Sequence, residues 1–95
     1  MINDTHIRFS IIIPVYNNEQ TIERAIQSCL EQTFTSFELI IIDDGSIDNS
    51  KTKLNAYSNY ENIKILQINS NRGVSYTRNR GTKVAKGEYL CFLDA

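Results

Sequence analysis

Residues 9–15 read FSIIIPV, a run that is apolar and β-branched almost throughout. It is too short for an ordinary buried helix and shows no polar alternation. It therefore predicts a strand covered on both faces, the habit of parallel sheets packed between helices. The next segment has a different period. Asn17 and Asn18 offer helix caps. Behind them Ile22, Ala25, Ile26, Cys29 and Leu30 recur at i, i+3, i+4, i+7 and i+8, the stripe of an amphipathic helix.

The same change of period repeats outward along the chain. Phe37–Ile42 (FELIII) predicts a second strand, stopped by Asp43, Asp44, Gly45 and Ser46. Residues 48–57 predict a weaker helix, with Leu54 and Tyr57 as nearly its only apolar anchors and Asp48, Asn49 or Ser50 as caps. Ile63–Ile68 alternates more and predicts a third strand nearer an edge. After a polar loop, Val74, Thr77, Gly81, Val84 and Ala85 form a small-residue stripe at helical spacing, which Gly87 ends. Glu88–Leu93 (EYLCFL) predicts a fourth strand ahead of Asp94 and Ala95.

Strands alternating with helices predict an α/β fold: an open, mainly parallel sheet with flanking helices. A length of 95 residues suits one domain, with 1–8 as a leading tail. A buried fourth strand is not expected to close a chain, so residues 1–95 are expected to form a single, incomplete domain cut at that strand.

Composition excludes several functions. Hydrophobic residues make up 41%, against disorder, and ten basic residues face eleven acidic ones for a net charge of -1. That balance gives no electrostatic reason to expect nucleic acid as a partner. No apolar run approaches the ~20 residues of a membrane span, and the first residues lack the apolar stretch of a secretory signal. Cys29 and Cys91 stand apart among apolar neighbours and are expected to be reduced core residues, consistent with a cytoplasmic setting.

In an open α/β sheet, ligands bind beyond the carboxyl ends of the strands. Those ends carry Tyr16, Asn17, Asn18 and Glu19, then Asp43 and Asp44, then Asn69, Asn71 and Arg72, and finally Asp94. Carboxylates gathered at one rim call for a cation, ring N–H donors or sugar hydroxyls to offset their repulsion. The sequence has no GxGxxG after the first strand, no GxxxxGK[ST] and no GxSxG. Its one histidine, His6, lies in the leading tail, where it cannot serve a Ser-His-Asp site.

Three stretches, FSIIIPVYNNE, QTFTSFELIIIDDGSIDNS and NRGVSYTRNRGTKVAKGEYLCFLDA, resemble the N-terminal part of the family 2 inverting glycosyltransferases. The similarity runs from Phe9 to Ala95 and is least characteristic between Ser50 and Tyr60. It implies the GT-A fold, a Rossmann-like half that binds nucleotide-diphospho-sugars. It also implies that Pro14, Val15 and Tyr16 hold the nucleobase, with the tyrosine ring stacked on it, and that Asp44 of the Asp43-Asp44 pair accepts a base N–H. Glu19 matches the family's YNxE pattern, and Gly73, Arg78 and Asn79 match its donor-pocket helix. Asp94 matches the first aspartate of the DxD motif that holds Mn²⁺ or Mg²⁺. The general base and the acceptor region are expected beyond Ala95, so the 95-residue chain alone is expected to transfer no sugar.

The resemblance further implies a UDP-sugar donor and a glycan or lipid-linked acceptor. It implies hexosyl transfer for polysaccharide biosynthesis at the cytoplasmic side of the cell membrane, with peripheral association of the full-length protein. A non-catalytic nucleotide-binding or interaction domain fits the same residues. Plainer readings stand beside the functional ones: Asp43 as a turn residue, Glu19 as a carboxylate in the first turn of a helix, and Arg80 and Lys83 as a solvated basic face. A receiver-like signalling module would place its acidic pair after the first strand, whereas here the pair follows the second.

Overall fold

A computed structural model describes residues 7–32 and 36–95. The chain runs β1 (Phe9–Val15), α1 (Ile22–Leu30), β2 (Phe37–Asp44), α2 (Ser50–Asn55), β3 (Ile63–Ile68), α3 (Val74–Val84) and β4 (Tyr89–Phe92). The four strands form one sheet in the order β3-β2-β1-β4, and every pairing is parallel. β1 and β2 are central, in a register that sets Ile12 beside Ile40 and Val15 beside Asp43. All residues of β2 are buried, and β3 lies at an edge as its alternation suggested.

Side chains alternate across the sheet and build a core on each face. Ile11, Ile13, Val15, Leu39 and Ile41 meet Ile22, Ile26 and Cys29 of α1 and Leu54 of α2. Ile12, Ile40, Ile42 and Ile68 point the other way and meet Tyr76 and Val84 of α3. Helix α3 lies very close to the sheet because Gly81 faces it. A Cβ at Gly81 would fall 2.7 Å from Ile12 Cγ2 and 2.9 Å from Ile42 Cδ1.

The amino ends of the strands are closed by a buried polar cluster. Glu38 Oε2 accepts from Ser10 Oγ (2.7 Å) and from the Lys86 backbone N–H (2.7 Å), while Gly87 N–H donates to Ser10 Oγ (2.8 Å). Lys64 Nζ stands 3.2 Å from Glu38 Oε1. Burial works to raise the Glu38 carboxyl, but these donors outweigh it and hold the group below the ordinary glutamate range. The cluster ties the α3–β4 turn to β1 and β2.

Several expectations are corrected. β2 continues through Asp43 and Asp44, whose backbones stay in the ladder opposite Gln67 and Ile68. Helix α1 begins after Thr21 rather than at Asn17 or Asn18, because both asparagines are engaged in loop hydrogen bonds. Helix α2 is shorter than the 48–57 segment, with Leu54 as its one buried apolar side chain. The fourth strand is the edge opposite β3, and all its residues are exposed. Cys91 is therefore exposed, whereas Cys29 is buried as expected and its thiol is pushed up by that burial. Among the described residues, no helix is long and apolar enough to cross a membrane.

Candidate functional site

The parallel arrangement brings the carboxyl ends of the strands to one rim, and a cavity of about 310 Å³ opens there. The end of β1 contributes Pro14, Val15, Tyr16 and Asn18, and β2 contributes Asp44. The β3–α3 loop and the first turns of α3 contribute Asn71, Gly73, Val74 and Thr77, and the segment after β4 contributes Asp94 and Ala95. Five of the residues singled out in the sequence thus meet at one cavity together with Asp94: Pro14, Val15, Tyr16, Asp44 and Gly73.

Asp44 is the organising carboxylate. Its Oδ1 accepts from the Arg72 N–H (2.8 Å), and its Oδ2 accepts from the Gly73 N–H (2.9 Å) and from Asn71 Nδ2 (3.0 Å). Arg72 and Gly73 lead directly into α3, so the charge also sits beside the electropositive end of that helix. An ionised carboxylate offers about four acceptor positions. Three are used, which leaves one acceptor position, on Oδ1. Gly73 has φ 98°, a backbone shape that other residues rarely adopt, and it lets the chain turn into α3.

Asp43 faces the other way. Strand alternation directs it toward the α1–α2 side, where it is fully buried and both carboxylate oxygens lack a partner among the described residues. It does not line the cavity. Tyr16 stands at the rim with its ring accessible, 45% exposed. Asp94 is more open still. Its side chain is 88% exposed and its Oδ1 lies 3.5 Å from Arg78 Nη2. The Arg78 guanidinium also lies 5.6 Å from the Phe92 ring centroid, so it reaches the site through Asp94.

Glu19 and Asn79 lie outside the cavity. Glu19 accepts from Asn49 N–H (3.4 Å) and Asn49 Nδ2 (3.5 Å) in the neighbouring loop. Asn79 is on the outward side of α3 with Arg80 and Lys83. Conversely, the cavity uses Val74 and Thr77, which the sequence marked only as members of a helical stripe. The Thr77 hydroxyl donates back to Val74 O (2.8 Å), which satisfies it in a buried position.

Among the described residues, no group of three or more His, Cys, Asp or Glu side chains converges to hold a metal unaided. Asp94 alone suits the other common arrangement, in which a hard cation takes one or two carboxylates and completes its shell with substrate phosphates and water. The cavity therefore offers an aromatic face, an apolar floor, one vacant carboxylate acceptor, a close-approach glycine and an outer carboxylate. These suit a flat ring bearing an N–H donor, while an anionic group would approach Asp94 only through an intervening cation.

Comparison with known proteins agrees with this geometry. The sequence profile of Glycosyl transferase family 2 matches residues 10–95. A poly(ribitol-phosphate) beta-N-acetylglucosaminyltransferase, TarP of Staphylococcus aureus, is 44% identical over 92 residues, covering 93% of this chain and 28% of that protein. The crystal structure of S. aureus TarS 1-349 in complex with UDP-GlcNAc superposes with a TM-score of 0.86 at 35% identity, over 93% of this chain and 26% of that one. A mannosyltransferase of Pyrobaculum calidifontis, in complex with GDP-Man and Mn²⁺, shares the fold with a TM-score of 0.86 at 21% identity, over 96% of this chain and 28% of that one. The chain spans roughly a quarter of the length of these proteins.

Proposed function

The chain belongs to glycosyl transferase family 2, and we propose that its cavity binds the nucleoside diphosphate part of a nucleotide-sugar donor, UDP first among the candidates. The Tyr16 ring stacks on the base above a floor of Pro14 and Val15. The vacant acceptor position of Asp44 takes the ring N–H, and the exposed backbone at Gly73 allows close approach. The observation that carries this reading is the meeting of Tyr16, Asp44 and Asp94 at one cavity on the carboxyl edge of the sheet.

Asp94 would hold Mn²⁺ or Mg²⁺ together with the diphosphate oxygens. The chemistry such an ion supplies is neutralisation of charge on the leaving diphosphate. Arg78 holds Asp94 toward the cavity through their ion pair. The full-length protein would then transfer a hexose, with inversion, to a glycan or lipid-linked acceptor at the cytoplasmic side of a membrane. The 95 residues supply donor binding and no transfer. Among the donor-pocket residues, Glu19, Asp43 and Asn79 would act indirectly, since none of them lines the cavity.

Calorimetric titration of the chain with UDP, with and without Mn²⁺, tests the reading. Base stacking on an aromatic side chain is worth about 1–3 kcal/mol, so Tyr16→Ala should weaken UDP roughly 5- to 160-fold. Asp94→Ala should remove the Mn²⁺ dependence while leaving metal-free affinity unchanged. UDP binding that ignores both substitutions would defeat the proposal.

A further inference from the structure

Four consecutive backbone N–H groups, those of residues 16–19, each donate to a side-chain oxygen. The Tyr16 N–H stays within its own loop and donates to Asn18 Oδ1 at 2.8 Å. The next three cross to the loop that follows β2 and to the first residue of α2. Asn17 N–H donates to Ser46 Oγ (2.9 Å), Asn18 N–H to Ser50 Oγ (2.9 Å) and Glu19 N–H to Asp48 Oδ2 (3.2 Å). Bonds also run the other way, from Ile47 N–H to Asn17 Oδ1 (2.9 Å) and from Asn49 N–H to Glu19 Oε1 (3.4 Å).

Backbone amides outside regular structure must find acceptors somewhere, and here two loops satisfy each other with side chains in place of a strand ladder. The spacing explains the residue choice. Ser46, Asp48 and Ser50 alternate from the loop after β2 into the start of α2, while Asn17 and Glu19 alternate along the other loop. Ser46 is only 6% exposed and Ser50 is fully buried, so neither hydroxyl is a surface accident. Asn17 carries φ 53°, a left-handed backbone that asparagine and aspartate tolerate better than other side-chain-bearing residues.

Tyr16 sits between two fixed points. Val15 is held in register beside Asp43, and Asn17 is clamped to the Ser46–Ile47 turn. We infer that Asn17, clamped to Ser46 and Ile47, is a positioning residue that sets the Tyr16 ring at the cavity rim, and that the segment after the acidic pair serves the site by holding this loop. The inference rests on the nucleotide-binding reading for its functional consequence, and on the hydrogen bonds alone for the lock. It also gives Glu19 a role through Asn49 rather than through a ligand.

Three substitutions at Asn17 separate its two properties. Asn17→Gly keeps the left-handed backbone and loses the acceptor, Asn17→Asp keeps both, and Asn17→Ala loses both. UDP affinity of the 95-residue chain should fall roughly five- to ten-fold in Asn17→Ala, part of the stacking energy. Asn17→Gly should recover some of it and Asn17→Asp nearly all. In a Tyr16→Ala background, Asn17→Ala should have no further effect on UDP, because it acts only through the ring. A full additive loss there, or failure of Asn17→Asp to rescue, would overturn the inference. Amide exchange at residues 16–19, followed by NMR without ligand, reads the lock itself. Protection should drop in Asn17→Ala, and protection that persists also overturns the inference. If the unsubstituted chain fails to bind UDP while protection behaves as expected, the nucleotide reading fails and the lock stands.

Discussion

Replacing Asp44 by alanine should cost the domain about 2–3 kcal/mol before any ligand is considered, by weighing its three bonds to donors against known helix-end substitutions. The carboxylate takes Arg72 N–H, Gly73 N–H and Asn71 Nδ2 at 2.8, 2.9 and 3.0 Å. Bonds to a charged acceptor run to about 1.5–3 kcal/mol each, and a plain sum would exceed the whole effect. The three share one side chain, and the amides lie where water can replace it, which pulls the cost toward the ~0.5–2 kcal/mol of a lost helix cap. The charge beside the end of α3 adds about 0.3–1 kcal/mol. For a domain of this size each kcal/mol moves Tm by about 4–8 °C, so Tm should fall by about 8–24 °C. Asp44→Asn can keep its oxygen toward Gly73 N–H and Asn71 Nδ2 but then sets its amide donor against Arg72 N–H, and should cost about half as much. Urea unfolding followed by circular dichroism gives both values, with an unchanged m confirming the same transition. Asp44→Ala within about 0.5 kcal/mol of the unsubstituted chain would refute the reasoning, because surface changes without a structural role fall in that range.

Two further outcomes follow from the same packing. Gly81→Ala gains about 1 kcal/mol of helix propensity, but its Cβ would press on Ile12 and Ile42 at 2.7 and 2.9 Å. Ile12 is fully buried and β-branched, so it yields poorly, and overpacking of about 1–3 kcal/mol should win; a stabilised variant in urea would contradict this. Glu38 titrates below its ordinary value in the folded chain, so the unfolded chain binds more protons as the medium is acidified. Its contribution is therefore complete above the ordinary glutamate pKa of ~4.3 and is lost as pH falls through the lower folded value. Glu38→Gln should flatten the acid limb of stability against pH, and superimposable limbs for the two proteins would count against the cluster.

The strands were legible because each is an apolar run long enough to exclude other readings. Ile63–Ile68 and Phe9–Val15 emerge with their expected bounds. Helix α1 was legible from its stripe, but its start was not. Asn17 and Asn18 have the chemistry of caps, and only the folded loops show that Ile47 N–H and Tyr16 N–H take their carboxamides. The extension of β2 through Asp43 and Asp44 was hidden because side-chain polarity does not reveal whether a backbone stays in the ladder. The position of β4 beside β1 was hidden for a related reason: an apolar run gives a strand, while its place in the sheet depends on strand order. At the site, Tyr16, Asp44 and Asp94 could be read from their places after strands. Thr77 could not, since a buried threonine on a helix stripe looks the same whether or not a cavity lies above it. That Asp43 and Asp44 point to opposite faces follows from strand alternation once the strand is known to continue through them.

The two ends of the sheet hold buried carboxylates in different settings. Glu38 and Asp44 are both buried, at 2% and 3% exposure, and both lie on the face covered by α3. Glu38 meets a serine, a backbone amide and a lysine around its two oxygens and lines none of the described cavities, so its bonds are spent on closing the amino end. Asp44 also meets three donors, yet it borders a cavity that Tyr16 and Asp94 line as well. Asp94 sharpens the contrast. It is 88% exposed at the side chain and held by a single arginine at 3.5 Å, a pair worth little to stability in water. On the donor-binding reading proposed above, Asp94 would meet the diphosphate through a cation, and the Arg78 pair would serve to aim its carboxylate rather than to stabilise the fold.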